Sequence, residues 1–373
     1  MDDRSTNRID RRRFLKLAGM AGLTMAGLEM AACGPGAAPP PPTATIKPAA
    51  PAASPKAESA EERLAKMIEA AKKEGKVTLY SVGSIEESEK MVKVFNKKYP
   101  FIQVEPYTGT SEDLSEKILT ESKAGKNIAD VIRADTAISP VLDAGLAMKY
   151  LSPESANFPK GSYDPEGTWR FLQYTVHSIA WNTKAIAAAD APRSYDDLLN
   201  PKYKGKLAIE PECLEWFTQQ LAIRGRDKGL EYMKRLADQK PRLVKGHTTL
   251  SRLVVAGEVP MAVMVYAYRS QLDKESKAPV EWIADKPATA NQTMLVIHKD
   301  APHPNAARLM LDWWLSKEGQ EDEVIGVSAR YPVRPGVTIP DFYKGVDVYT
   351  ASLETLKQTR QNSAQFREIF GIV

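Results

Sequence analysis

Between Val77 and Asp135 the chain alternates strand and helix in a way few architectures accept. Val77-Thr78-Leu79-Tyr80 reads as a strand, followed by a Ser/Gly loop from Ser81 to Ser84 and an amphipathic helix from about Ile85 to Tyr99, which Pro100 stops. Ile102 to Glu105 is a second strand. The turn Thr108-Gly109-Thr110-Ser111 leads to a second helix, with Ser111 as its expected N-cap, and a third strand ends at Arg133-Ala134-Asp135. Such alternation makes βαβ units and a mostly parallel sheet, in which ligands bind beyond the carboxyl ends of the strands. Ser81, Ser84, Thr110, Ser111, Arg133 and Asp135 sit at those ends and are candidates for one wall of a cleft. Simple capping at Ser111, or pairing of Asp135 with Arg133, would explain the same residues without a ligand.

A second α/β unit begins near residue 180. Its strand Lys206 to Ile209 ends at Glu210-Pro211-Glu212, and Met261 to Tyr266 is apolar throughout, as a central strand should be. Val280 to Ile283 and Thr293 to Ile297 are further strands, the second returning to the first unit. The fold class is therefore α/β, with two lobes, each a mostly parallel sheet flanked by helices, hinged by crossover strands. Ligand sites favour such interfaces. Glu212, His247, Tyr266 and Tyr268 are the candidates from the second lobe, the tyrosines sharing one strand face. Glu212 on a solvated face, His247 as a helix-start residue and the tyrosines as walls for an organic ligand are the competing readings. Cys213 is expected to be a small buried or cleft-wall residue.

The first 33 residues read as an address. Arg11-Arg12-Arg13-Phe14-Leu15-Lys16 and the soft apolar run after it resemble a twin-arginine export signal, and Ala31-Ala32-Cys33-Gly34 resembles a lipoprotein cleavage box. The organisation expected is an export signal over 1–32, a lipidated Cys33 with a Pro/Ala tether over 33–58, lobe 1 over 59–178, lobe 2 over 179–284, and a return to lobe 1 with C-terminal helices over 285–373. Removing residues 1–32, with six basic and four acidic side chains, takes the formal charge from +4 to about +2. That charge and the absence of a basic stripe argue against nucleic acid. The sequence has no Gly-x-Ser-x-Gly elbow and no His-Glu-x-x-His helix, and His177, His247, His298 and His303 are scattered, so an exported hydrolase is disfavoured. With no phosphate-binding loop, any ATPase must be another chain.

Seven short motifs occur in order: Val-Thr-Leu-Tyr-Ser at 77–81, Ile-Ala-Asp-Val at 128–131, Ser-Tyr-Asp-Asp-Leu-Leu at 194–199, Lys-Tyr-Lys-Gly-Lys-Leu at 202–207, Ala-Gly-Glu-Val-Pro at 256–260, His-Pro-Asn-Ala-Ala-Arg at 303–308 and Ser-Lys-Glu-Gly-Gln at 316–320. Together they resemble bacterial extracellular solute-binding proteins of ABC importers, most closely the ferric-iron-binding type, over roughly residues 74 to 335. The resemblance implies a non-enzymatic, monomeric capture protein at the periplasmic or outer face of the cytoplasmic membrane. Its partners would be a permease and a separate ATPase subunit. It implies ferric iron as cargo rather than cofactor, with Asp135 and Tyr268 as metal ligands. Ser84 falls where that type often has a histidine, Glu212-Cys213-Leu214 where it holds an accompanying anion, and His247 near another anion contact. A small organic or anionic solute (phosphonate, carboxylate, sugar derivative) is the alternative cargo, and a sensory lipoprotein without a permease the alternative role.

Overall fold

A computed structural model describes residues 59–372. The export signal, Cys33 and the tether expected over 1–58 lie outside the described residues. Ten strands run β1 Lys76–Ser81, β2 Gln103–Thr108, β3 Val131–Ala134, β4 Arg170–Asn182, β5 Leu207–Ile209, β6 Arg242–Leu243, β7 Met261–Tyr266, β8 Val280–Ile283, β9 Ala290–Ile297 and β10 Tyr331–Pro332. The helices are α1 Ala60–Glu74, α2 Ile85–Lys98, α3 Ser111–Lys123, α4 Ser139–Asp143, α5 Leu214–Arg224, α6 Arg226–Ala237, α7 His247–Ala256, α8 Ala267–Glu275, α9 Pro304–Leu315, α10 Lys317–Gly319, α11 Leu353–Lys357 and α12 Thr359–Phe370. A π-helical turn spans Gln320–Ile325.

All 13 residues of β4 are buried, and the strand belongs to two sheets. Its first half, Arg170 to Val176, pairs antiparallel with β9 and, at Gln173 and Tyr174, with β10. Its second half pairs antiparallel with β7 on one side and β8 on the other. The hydrogen-bonded order is β2-β1-β3-β9-β4-β7-β5-β6. Pairing is parallel within β1–β3 and among β5–β7, and antiparallel wherever β4 or β9 takes part. The reason is topological: β4 and β9 carry the chain between lobes and must run in opposite senses. Thr175–Trp181, which reads as a strand in the sequence, is therefore only part of a longer one. Its first half, which begins with Arg170, lacks the periodic signal of a half-exposed strand because it is covered on both faces.

Each lobe has its own apolar centre. In lobe 1, β1, β3, β4 and β9 pack against Phe95, Leu309, Trp313 and Trp314. In lobe 2, Trp216, Phe217, Met233, Met261 and Met264 fill one face of the sheet, and Leu250, Val254 and Val265 the other. The C-terminal residues do not all return to lobe 1. Ala351 exchanges two hydrogen bonds with the Gln292 side chain (2.7 and 3.0 Å), and Leu356 enters the lobe 1 core, but α12 crosses to lobe 2. There Phe366 packs on Phe217 with ring centroids 5.1 Å apart, and Asn362 donates to Thr218 Oγ1 at 3.2 Å. The amphipathic spacing of α12 is legible in the sequence; which lobe its apolar stripe covers is not.

Truncation of a buried aromatic typically costs about 3–5 kcal/mol. Phe366→Ala is therefore expected to lower the unfolding midpoint in urea, while an exposed α12 substitution such as Arg360→Ala should leave it nearly unchanged.

Candidate functional site

The carboxyl ends of β1, β3, β5 and β7 converge where β4 passes between the lobes, and the groups gathered there are unlike the surface elsewhere. From lobe 2, Tyr266 ends β7 and pairs with His177 of β4. Tyr268 lies two residues on, in the first turn of α8, not on the strand as the sequence suggested. The rings still stack, at 5.9 Å and 20°, because the strand-to-helix turn replaces the strand's alternation. His247 opens α7 and lies 4.2 Å from the Tyr266 ring. Its placement depends on Gly246, whose φ of 89° is open to glycine but costly for other residues. Buried Glu210 fixes the junction by accepting from Gly246 N at 3.0 Å and Glu212 N at 2.8 Å. Behind these rings, His177 bonds Thr289 Oγ1 through Nδ1 (3.1 Å), with Cys213 Sγ 3.6 Å from its Nε2.

Burial holds both imidazoles neutral, pulling His177 down to about 3 and His247, with less help from neighbours, to about 4. Burial also raises the Tyr266 phenol and the Cys213 thiol. Asn291 Nδ2 donates to the Tyr266 hydroxyl at 3.4 Å.

Lobe 1 supplies carboxyl and hydroxyl groups. Asp135 caps the turn after β3, its Oδ1 accepting from Ala137 N at 2.9 Å and its own N–H bonding Ser111 Oγ at 3.1 Å. Thr136 donates to Glu215 Oε1 of α5 across the cleft at 2.5 Å. Burial first, and then the Asp135 charge, push the Glu215 carboxyl up to about 8, and burial also raises Asp135. Glu215 was not among the residues singled out from sequence; its only signal was acidity in the first turn of a helix following a strand end.

The other candidates are placed differently. Ser81 is buried, donating to Val82 O and accepting from Arg133 Nη1 (3.3 Å). Arg133 is committed to Ser81, Val82 O and Glu87, not to Asp135. Thr110, not Ser111, is the N-cap of α3, accepting from Asp113 N at 3.1 Å, because the Ser111 hydroxyl is turned inward to Asp135. Ser84 caps α2 at an exposed position. Glu212 is exposed and paired with Lys245 at 2.8 Å. The structure thus gathers Asp135, His247, Tyr266 and Tyr268, and leaves Ser84, Thr110 and Glu212 on capping or solvent-facing duty.

Among the described residues no three His, Cys, Asp or Glu groups cluster as a metal site, so any metal centre here must draw on the phenols. Nor, among those residues, is any helix long and apolar enough to cross a membrane. An open concavity of about 580 Å³ beside Trp282 and Phe342 shares no residue with the cleft.

A two-lobe α/β fold whose strand ends face each other across shared crossover strands defines a binding protein that holds its ligand between lobes. The sequence of residues 90–347 matches the bacterial extracellular solute-binding protein family, and the chain belongs to that family. It is 22% identical over 233 residues to the Fe(3+)-binding periplasmic protein of Serratia marcescens, covering 59% of this chain and 68% of that one. An uncharacterised Haemophilus influenzae protein is 30% identical over 149 residues, which span 38% of this chain and 43% of that relative. Among solved structures, iron-bound HitA from Pseudomonas aeruginosa superposes with a TM-score of 0.68 at 23% identity, covering 79% of this chain and 99% of HitA. AfuA from Actinobacillus pleuropneumoniae, with fructose-6-phosphate bound, gives 0.67 at 20% identity, over 80% and 99% of the two chains. These structural likenesses establish the fold.

The pKa shifts have opposite consequences for stability. Unfolded histidines bind protons below about pH 6.5, whereas His247 and His177 do so only near 4 and 3, so stability is lost as pH falls from 6.5. Glu215 keeps its proton in the folded protein up to about 8 but loses it near 4.5 when unfolded, so its contribution is lost as pH rises between those values. Glu215→Gln should flatten the alkaline limb of a stability–pH profile, measured by urea unfolding from pH 4 to 9, and leave the acid limb in place.

Proposed function

We propose that this chain captures a solute between its lobes and delivers it to the permease of an ABC importer, whose ATPase is a separate subunit. In this reading the protein is exported, acts as a monomer, and is held at the membrane's outer face by a lipid on Cys33. Its cargo is ferric iron. The observation that supports the cargo is the convergence of Tyr266, Tyr268 and His247 of lobe 2 with Asp135 of lobe 1. Phenolate and carboxylate oxygens are the donors a hard trivalent cation prefers, with imidazole acceptable. The description of the Serratia relative as an Fe(3+)-binding protein points the same way. Tyr268 and Asp135 are the residues assigned to the metal, with Tyr266 and His247 beside them.

Ferric iron held by phenolate gives a visible charge-transfer band. Adding ferric nitrilotriacetate to the wild type is expected to produce that band and raise the melting temperature. Tyr268→Phe should abolish or strongly weaken the band, and Asp135→Ala should reduce affinity by at least about tenfold. A wild type with neither band nor thermal shift would remove iron as cargo. For the anchor, Cys33→Ser should release the protein from washed membranes into the soluble fraction; retention would count against lipidation.

A further inference from the structure

Arg330 is a cleft cation that bridges the lobes, and neither the sequence motifs nor the comparisons single it out. It sits on lobe 1, directly before β10, and its guanidinium carbon lies 3.7 Å from the centroid of the Tyr268 ring of lobe 2. The backbone is bent to place it there. The π-helical turn closes with Ser328 N bonded to Glu323 O at 2.9 Å and Arg330 N to Val324 O at 2.8 Å, and Ala329 between them adopts φ 50°. A left-handed alanine is strained, and such strain concentrates at functional sites.

The guanidinium is short of partners. Nη1 donates to Ser328 O, Nη2 approaches Glu87 Oε1 only to 3.9 Å, and the buried Nε has no partner in the protein. Its side chain is 11% exposed. Glu87 must also serve Arg133 at 3.4 Å and the Ser328 hydroxyl at 3.2 Å, so one carboxylate faces two guanidiniums. The other nearby acid, Glu323, is fully buried and already bonded by Ser328 Oγ (2.7 Å) and Trp314 Nε1 (3.1 Å), and burial raises its pKa, which weakens it as a counter-charge. This side of the cleft therefore carries surplus positive charge.

We propose that Arg330 reads an oxyanion of the solute, a carboxylate or phosphate group seated against the guanidinium and the Tyr268 ring, and so ties ligand charge to contact between the lobes. An arginine fork is suited to this because it offers paired donors to such groups, and a charge-assisted bond in a dry cleft is stronger than a neutral one. The inference rests on capture in the interlobe cleft, not on iron as cargo. The oxyanion comes either from a free organic or inorganic anion or from an anion that accompanies a metal.

Calorimetric titration with inorganic phosphate, citrate and ferric citrate separates these sources. The wild type is expected to bind at least one of them, and Arg330→Gln to bind it about tenfold or more weakly, with Arg330→Lys in between. Far-UV circular dichroism of both variants should match the wild type. If Arg330→Gln fails to fold, Arg330→Lys decides, since it keeps the charge beside Glu87 but loses the fork and the stack. Binding of phosphate or citrate alone marks a free anion, and binding of ferric citrate only marks a metal-borne one. Equal affinity in the wild type and in the deciding variant, or no binding of any of the three by the wild type, overturns the assignment. A wild type that binds citrate yet shows no iron band would sink the iron cargo and leave Arg330 in place.

Discussion

The shared strand β4 is the constraint on which the rest depends. Each lobe needs it to complete its sheet, so neither lobe has an independent edge at the interface, and the cleft forms where the strand changes partners. The change falls at Val176 and His177. Beside that point lie Tyr266, paired with His177, and Asn291, paired with Thr175. Tyr266 and Asn291 are both held to β4 by their strand ladders, whereas Thr136 with Glu215, and Arg330 with Tyr268, make side-chain contacts from one lobe to the other.

The rim is also where charge is least balanced. On one flank Asp135 and Glu215 face each other with their carboxyls raised, chiefly by burial. On the other, two arginines divide one glutamate. Two carboxyls that face each other away from water would be costly if both were ionised. The fold resolves this unevenly: the acids are driven toward neutrality by their surroundings, while guanidinium, with a far higher affinity for its proton, cannot follow.

Much of the architecture was legible in the chain. The βαβ alternation from Val77 to Asp135 and the apolar run Met261 to Tyr266 were readable because local periodicity records burial. Tyr266 and Asp135 were found at strand ends for the same reason. What could not be read was direction. Nothing in Ser111 says that its hydroxyl turns inward to Asp135 and leaves capping to Thr110, and nothing in Arg133 says that Glu87, 46 residues away, will claim it. Arg330 was invisible because its partner, Tyr268, is 62 positions earlier, and a left-handed alanine has no signature in a single sequence.

The path of the last helix has a consequence beyond packing. The described chain enters through α1, which lies on α9 in lobe 1, and leaves through α12 on lobe 2. Any rotation of one lobe against the other is therefore transmitted to the outer helices and alters the distance between them. Within the described residues, opening or closing of the cleft changes the spacing between α1 and α12, like the handles of a pair of calipers.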